Sequence, residues 1–122
     1  MHWEELGVHV NFAPVVDINS NPRNPIIGMR SFGEDPEEVT QKAILYAYGS
    51  LSQNVLPVIK HFPGHGDTDT DSHHTLPVIP HSRQRLDSVE LYPYQHLIEA
   101  GIPAVMVSHL AVKSIDSTGI PA

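Results

Sequence analysis

Val55-Leu56-Pro57-Val58-Ile59-Lys60-His61 is a run of apolar, largely β-branched residues closed by two basic ones. A half-exposed strand would alternate apolar with polar positions, so this run reads as a strand buried on both faces. Pro57 has no N–H to give to a ladder, which weakens that ladder or places the residue at the strand's start. Before it stands a helix with good starting chemistry. Asp35 can cap, Pro36 suits the first helical position and Glu38 completes a capping box. Val39, Ala43, Ala47 and Leu51 recur four apart and predict one buried stripe, with Gln53-Asn54 ending the helix. Further upstream, the turn-rich stretch Asn19 to Pro25 opens a loop that runs on through Gly33, and Val8 to Phe12 reads as another buried strand. Downstream, a long polar loop from Phe62 to Ser82 leads to a helix from about Asp87 to Ala100. A third strand, Ala104 to His109, follows.

Strands alternating with helices imply βαβ units and a parallel sheet, so the fold class is α/β. Polar residues gather where each strand ends, at Asp17, Lys60, His61, Ser108 and His109. In a parallel α/β fold that edge is the functional one. A closed (β/α)8 barrel takes about 250 residues, so these 122 would supply about three of its eight units. The chain opens inside an amphipathic pattern and stops at Gly119-Ile120-Pro121-Ala122 with no closing helix, which reads like an internal piece, residues 1–122, of one larger domain.

Composition narrows the field. With 40% hydrophobic and 17% charged residues the chain has enough apolar matter for a core and too little charge for disorder. The net charge of −7 disfavours nucleic acid and anionic membranes as partners. No apolar stretch approaches the roughly 20 residues of a bilayer span, and Met1-His2-Trp3-Glu4-Glu5 has no signal-peptide character. Without cysteine there is no thiolate chemistry and no redox clue to compartment.

Four of the nine histidines fall in one segment, Lys60-His61-Phe62-Pro63-Gly64-His65-Gly66-Asp67-Thr68-Asp69-Thr70-Asp71-Ser72-His73-His74. A calcium loop would explain the alternating aspartates, but Ser72 stands where glycine is required and Val78 where a bidentate glutamate is required. A transition-metal site from His61, His65 and His73 has suitable donors, yet Phe62-Pro63-Gly64 forbids the helix that would align a His-x-x-x-His pair. General acid/base catalysis by Asp71 and His73 fits best. A carboxylate on one ring nitrogen fixes the tautomer, raises the imidazole pKa and leaves the other nitrogen to move protons. Lys60 and His61 would bind oxygen-bearing groups of a substrate, and Gly64 and Gly66 allow the backbone to turn beside it. A solvated loop with incidental histidines is the bland alternative. Asp17, Asn19, His65 and Asp69 read as residues that bond the loop's own backbone.

The segment Lys60 to Gly66, followed by Asp71-Ser72-His73 and Leu76-Pro77, resembles the signature of glycoside hydrolase family 3 in its bacterial β-N-acetylglucosaminidase branch. So do Asn11 to Asn19, Asn24 to Gly28 and Arg30-Ser31-Phe32-Gly33-Glu34-Asp35-Pro36. The two blocks cover most of residues 6–80. The resemblance implies a partial TIM-type (β/α)8 barrel and removal of terminal β-linked N-acetylglucosamine through a covalent glycosyl-enzyme, with peptidoglycan fragments as the source. It implies His73 and Asp71 as the acid/base pair, in place of the usual two carboxylates. It implies Arg30, Lys60 and His61 as sugar-binding residues, although Arg30 alone also reads as a loop salt-bridge residue. The nucleophilic aspartate of the family falls beyond Ala122, since Asp116 comes too early, so this chain alone is expected to be inactive. No cofactor and no metal are expected; the partners are a carbohydrate and the remainder of the barrel. A family-related phosphorylase and a non-catalytic or metal-binding α/β module are the alternatives.

Overall fold

A computed structural model describes residues 5–24, 26–67, 76–118 and 120. Its elements are β1 (Val10–Asn11), a 3-10 turn (Gly28–Arg30), α1 (Pro36–Leu51), β2 (Leu56–Pro57), β3 (Ile59–Phe62), β4 (Val78–Ile79), α2 (Arg83–Ser88), α3 (Tyr92–Glu99), β5 (Val105–Val107) and β6 (Ala111–Val112). β1 pairs with β2, β3 with β5 and β4 with β6, every pair parallel. An isolated parallel bridge joins Val15 to Lys60. The β1 stretch, β2–β3 and β5 therefore lie side by side in that order, and their C-terminal ends share one edge. The fold is mixed α/β, as the alternation of elements predicts.

Several predicted bounds are corrected. The first strand is shorter than Val8 to Phe12, and the second splits at Val58. Pro57 sits second in β2 rather than at a strand start, and the ladder survives because the next N–H, that of Val58, donates to Asn11 O at 2.9 Å and to Ala13 O at 3.1 Å. The third strand contracts from Ala104–His109 to Val105–Val107. The predicted helix from Asp87 to Ala100 is two helices broken at Val89–Leu91, and the predicted loop from Phe62 to Ser82 contains β4. The peptides Ala13–Pro14, Lys60–His61 and Phe62–Pro63 are cis.

α1 starts as predicted, with the Asp35 carboxylate accepting the Glu38 N–H at 2.8 Å and Pro36 in the first turn. The second half of the capping box is not made: the Glu38 carboxylate pairs with Lys42 one turn on. Val39, Ala43 and Ala47 are fully buried and pack with Val16, Ile18, Ile59, Tyr94, Leu97 and Ile102, while Leu51 lies at the margin of that cluster. This core fastens α1 and α3 to one face of the strands. A second cluster of Ile79, Leu86, Leu91, Leu110 and Val112 joins β4, α2 and β6, and Phe62 packs against both. Fully burying one such aliphatic side chain contributes about 1.5–3 kcal/mol. The two clusters clamp the end of β3, where the chemistry-bearing residues begin.

Candidate active site

Asp17 follows the Val15–Lys60 bridge, and its side chain is wholly buried under the end of β3. Its carboxylate meets His61 Nδ1 at 2.6 Å, accepts the His61 backbone N–H at 3.2 and 3.3 Å, and accepts the His65 N–H at 2.7 Å. The loop is thus wound around a buried anion. Glycine is demanded at two of its turns. A Cβ on Gly66 would stand 1.7 Å from Ile18 O, and one on Gly64, where φ is 129°, would stand 2.9 Å from Glu90 Cβ. Buried Asn24 ties in the preceding loop, giving its amide N–H to His65 O at 2.7 Å and accepting from the N–H groups of Ile26 and Ile27. Ser31 donates to Asp17 O at 2.7 Å. Together these bonds carry the chain to Arg30, the last residue of the 3-10 turn, whose guanidinium reaches Ile26 O at 3.4 Å.

Lys60 and His61 project from the end of β3, both partly buried. Partial burial holds the Lys60 ammonium below the ordinary lysine range. The nearby Arg30 guanidinium pushes the same way, and Asp17 opposes them. Lys60 thus lies within electrostatic reach of Arg30 and Asp17, and His61 follows it at the end of β3. His61 and His65 stand edge to face, with centroids 6.3 Å apart. Among the described residues no group of three His, Asp or Glu side chains is arranged to hold a metal ion. His73, Asp71 and Asp69 lie outside the described residues.

The backbone-bonding role read for Asp17 is correct in part, since it accepts two N–H groups, but sequence reasoning missed its contact with the His61 ring. Sequence reasoning also assigned no role to His81. His81 Nε2 bonds Asp67, whose other oxygen accepts from Ser20 Oγ at 3.2 Å, so residues 20, 67 and 81 are joined across the site's flank. Neither contact has a local sequence signal. His109 follows β5 on the same edge and is exposed. The Asp116 side chain accepts the Thr118 N–H at 2.8 Å.

The chain has relatives among known proteins. The model of the glycosyl hydrolase family 3 N-terminal domain matches residues 2–122. Beta-hexosaminidase A of Pseudoalteromonas piscicida is 42% identical over 116 residues, which are 94% of this chain and 19% of that protein. A solved family 3 β-N-acetylglucosaminidase of Paenibacillus sp. str. FPU-7 is similar with a TM-score of 0.95 and 44% identity, over 98% of this chain and 23% of that one. A solved β-glucoside phosphorylase is similar with a TM-score of 0.93 and 32% identity, over 98% and 23%. The chain thus spans about a fifth to a quarter of these relatives' lengths.

Proposed function

The chain belongs to glycosyl hydrolase family 3, and on that premise we propose that it is an internal segment of a (β/α)8 catalytic barrel that removes terminal β-linked N-acetylglucosamine, with peptidoglycan fragments as the substrate source. The observation that carries this is the end of β3: His61 bonded to buried Asp17, with Lys60 next to it in the chain and within electrostatic reach of Arg30. Two cations and an imidazole on a fixed edge suit the hydroxyls of a neutral sugar, to which a charged donor gives hydrogen bonds about twice as strong as a neutral one. Relatives and neighbours named as β-hexosaminidase and β-N-acetylglucosaminidase support the sugar.

In this reading Arg30, Lys60 and His61 hold the sugar while His73, oriented by Asp71, gives its proton to the glycosidic oxygen. A carboxylate from a later strand of the barrel, outside this chain, attacks the anomeric carbon. His73, now neutral, then takes a proton from the water that releases the sugar. Phosphorolysis is the second reading, favoured by the structural likeness to a β-glucoside phosphorylase. A neutral histidine repels an incoming phosphate less than a carboxylate does, so release of sugar 1-phosphate in phosphate buffer separates the two.

The test is nitrophenol release from an aryl β-N-acetylglucosaminide by the full-length protein that carries this chain, beside His73→Ala. Loss of an acid is expected to cost about 10²–10⁴-fold, less as the leaving group improves. An equal loss for good and poor leaving groups would remove His73 from the acid role. A folded parent inactive with and without phosphate would leave the binding-module reading.

A further inference from the structure

We propose that Asp17 is a positioning residue for substrate: it locks the His61 ring so that Nδ1 always faces the protein and Nε2 is the nitrogen offered to the sugar. The proposal rests on His61 contacting the sugar, as above. Asp17's side chain has no exposure, and that of His61 retains 18%. Every partner that Asp17's two oxygens have among the described residues is an N–H group or His61 Nδ1. Oδ1 serves the His65 and His61 backbone N–H groups at 2.7 and 3.2 Å, and Oδ2 lies 2.6 Å from the ring nitrogen. A carboxylate so placed acts as an acceptor, and an imidazole facing it puts its hydrogen on Nδ1. Nε2 is then an acceptor when the ring is neutral and a second donor when it is protonated. In neither state do the two nitrogens exchange places.

The surroundings reinforce the assignment. His65, held through its own N–H by the same carboxylate, lies edge-on to the His61 ring. Tyr94 is buried nearby, and burial followed by the Asp17 charge pushes its hydroxyl well above the ordinary tyrosine range, so it stays neutral. Lys60 lies within electrostatic reach of both Asp17 and Arg30. The consequence is specific to the acid. In Asp17→Asn the single amide oxygen is claimed by the His65 N–H, and the NH2 group turns to His61 Nδ1. Being a donor, it forces Nδ1 to become an acceptor and moves the ring hydrogen to Nε2. The scaffold keeps its bonds while the sugar meets the wrong nitrogen chemistry, as when the aspartate of a Ser-His-Asp triad is replaced by asparagine.

The experiment uses the full-length protein with ¹⁵N-labelled histidine. In the wild type the His61 Nδ1 resonance should report a bound hydrogen, and in Asp17→Asn the two nitrogens should exchange character. With the aryl N-acetylglucosaminide as substrate, kcat/KM should fall by about 10–100-fold, as for outer-shell partners of a functional histidine. His61→Asn, which keeps a donor for Asp17, should already carry that loss, so adding Asp17→Asn to it should cost little more. A wild-type ring protonated on Nε2 alone overturns the lock even if Asp17→Asn does not fold. An equal kcat/KM loss from Asp17→Asn in both backgrounds reduces Asp17 to a structural residue. A nitrogen exchange without any change in sugar kinetics upholds the lock and overturns the substrate role of His61, leaving the two proposals separately answered.

Discussion

Lys60 shows how one side chain is set by its neighbours. Its ammonium lies below the ordinary lysine value of about 10.4 because burial disfavours the charge and Arg30 repels it, with Asp17 pulling the other way. The linkage has a definite sign. The folded state resists protonation of Lys60, so a stability penalty stands at pH below its folded pKa and fades as pH rises through that value toward the unfolded one. Removing the repelling charge by Arg30→Gln should raise the Lys60 pKa, and removing the attracting one by Asp17→Asn should lower it further. An NMR titration of the Lys60 side chain checks both, and movement of the two variants in one direction would contradict this charge arrangement. At this scale residue types and strand-end placement pointed to Lys60 and His61, while Arg30 came only from the family resemblance. It did not disclose the bond from Asp17 to the His61 ring, because 44 residues separate the partners and only the parallel register brings them together.

At the scale of elements, α1 was legible from end to end because its signals are redundant: a cap, a proline in the first turn, and a four-residue apolar period over 16 residues. Asp35→Ala should remove the bond to the Glu38 N–H and cost about 1 kcal/mol, read as a lower denaturant midpoint with unchanged slope. No change would mean that a water or another side chain serves that N–H equally well. The helix predicted from Asp87 to Ala100 breaks for a reason the sequence also contained. Pro93 cannot donate to Val89 O, and its ring clashes with that carbonyl, so α3 starts afresh at Tyr92 with the proline in its first turn. β4 and β6 were missed on different grounds. Each has two residues, and no periodicity can be read from two positions. They form only because α2 and the second apolar cluster bring Val78-Ile79 alongside Ala111-Val112.

For the molecule as a whole, the alternation of strand and helix was enough to predict a parallel α/β arrangement, but pattern alone does not say whether such a sheet closes. Two observations bear on the barrel proposal. Among the described residues β1 pairs only with β2, and β5 only with β3, so both outer strands have a free edge. Apolar side chains there are bare: Val10 is 44% exposed, Phe12 61% and Val107 55%. A cleft of about 250 Å³ is walled mainly by the apolar Phe62, Pro63, Leu110, Val112 and Ile115, with Asp116 among its lining residues. Free parallel edges and uncovered apolar faces template association. If further βα units of a barrel normally cover them, these 122 residues produced alone should associate and melt without a sharp transition. The full-length protein, with its edges closed, should sediment as a discrete species and melt cooperatively. Sedimentation velocity and calorimetry on the two side by side decide the matter. A monomeric short chain with one sharp transition would mean that the strands described here satisfy their own edges, and the partial-barrel reading would fall.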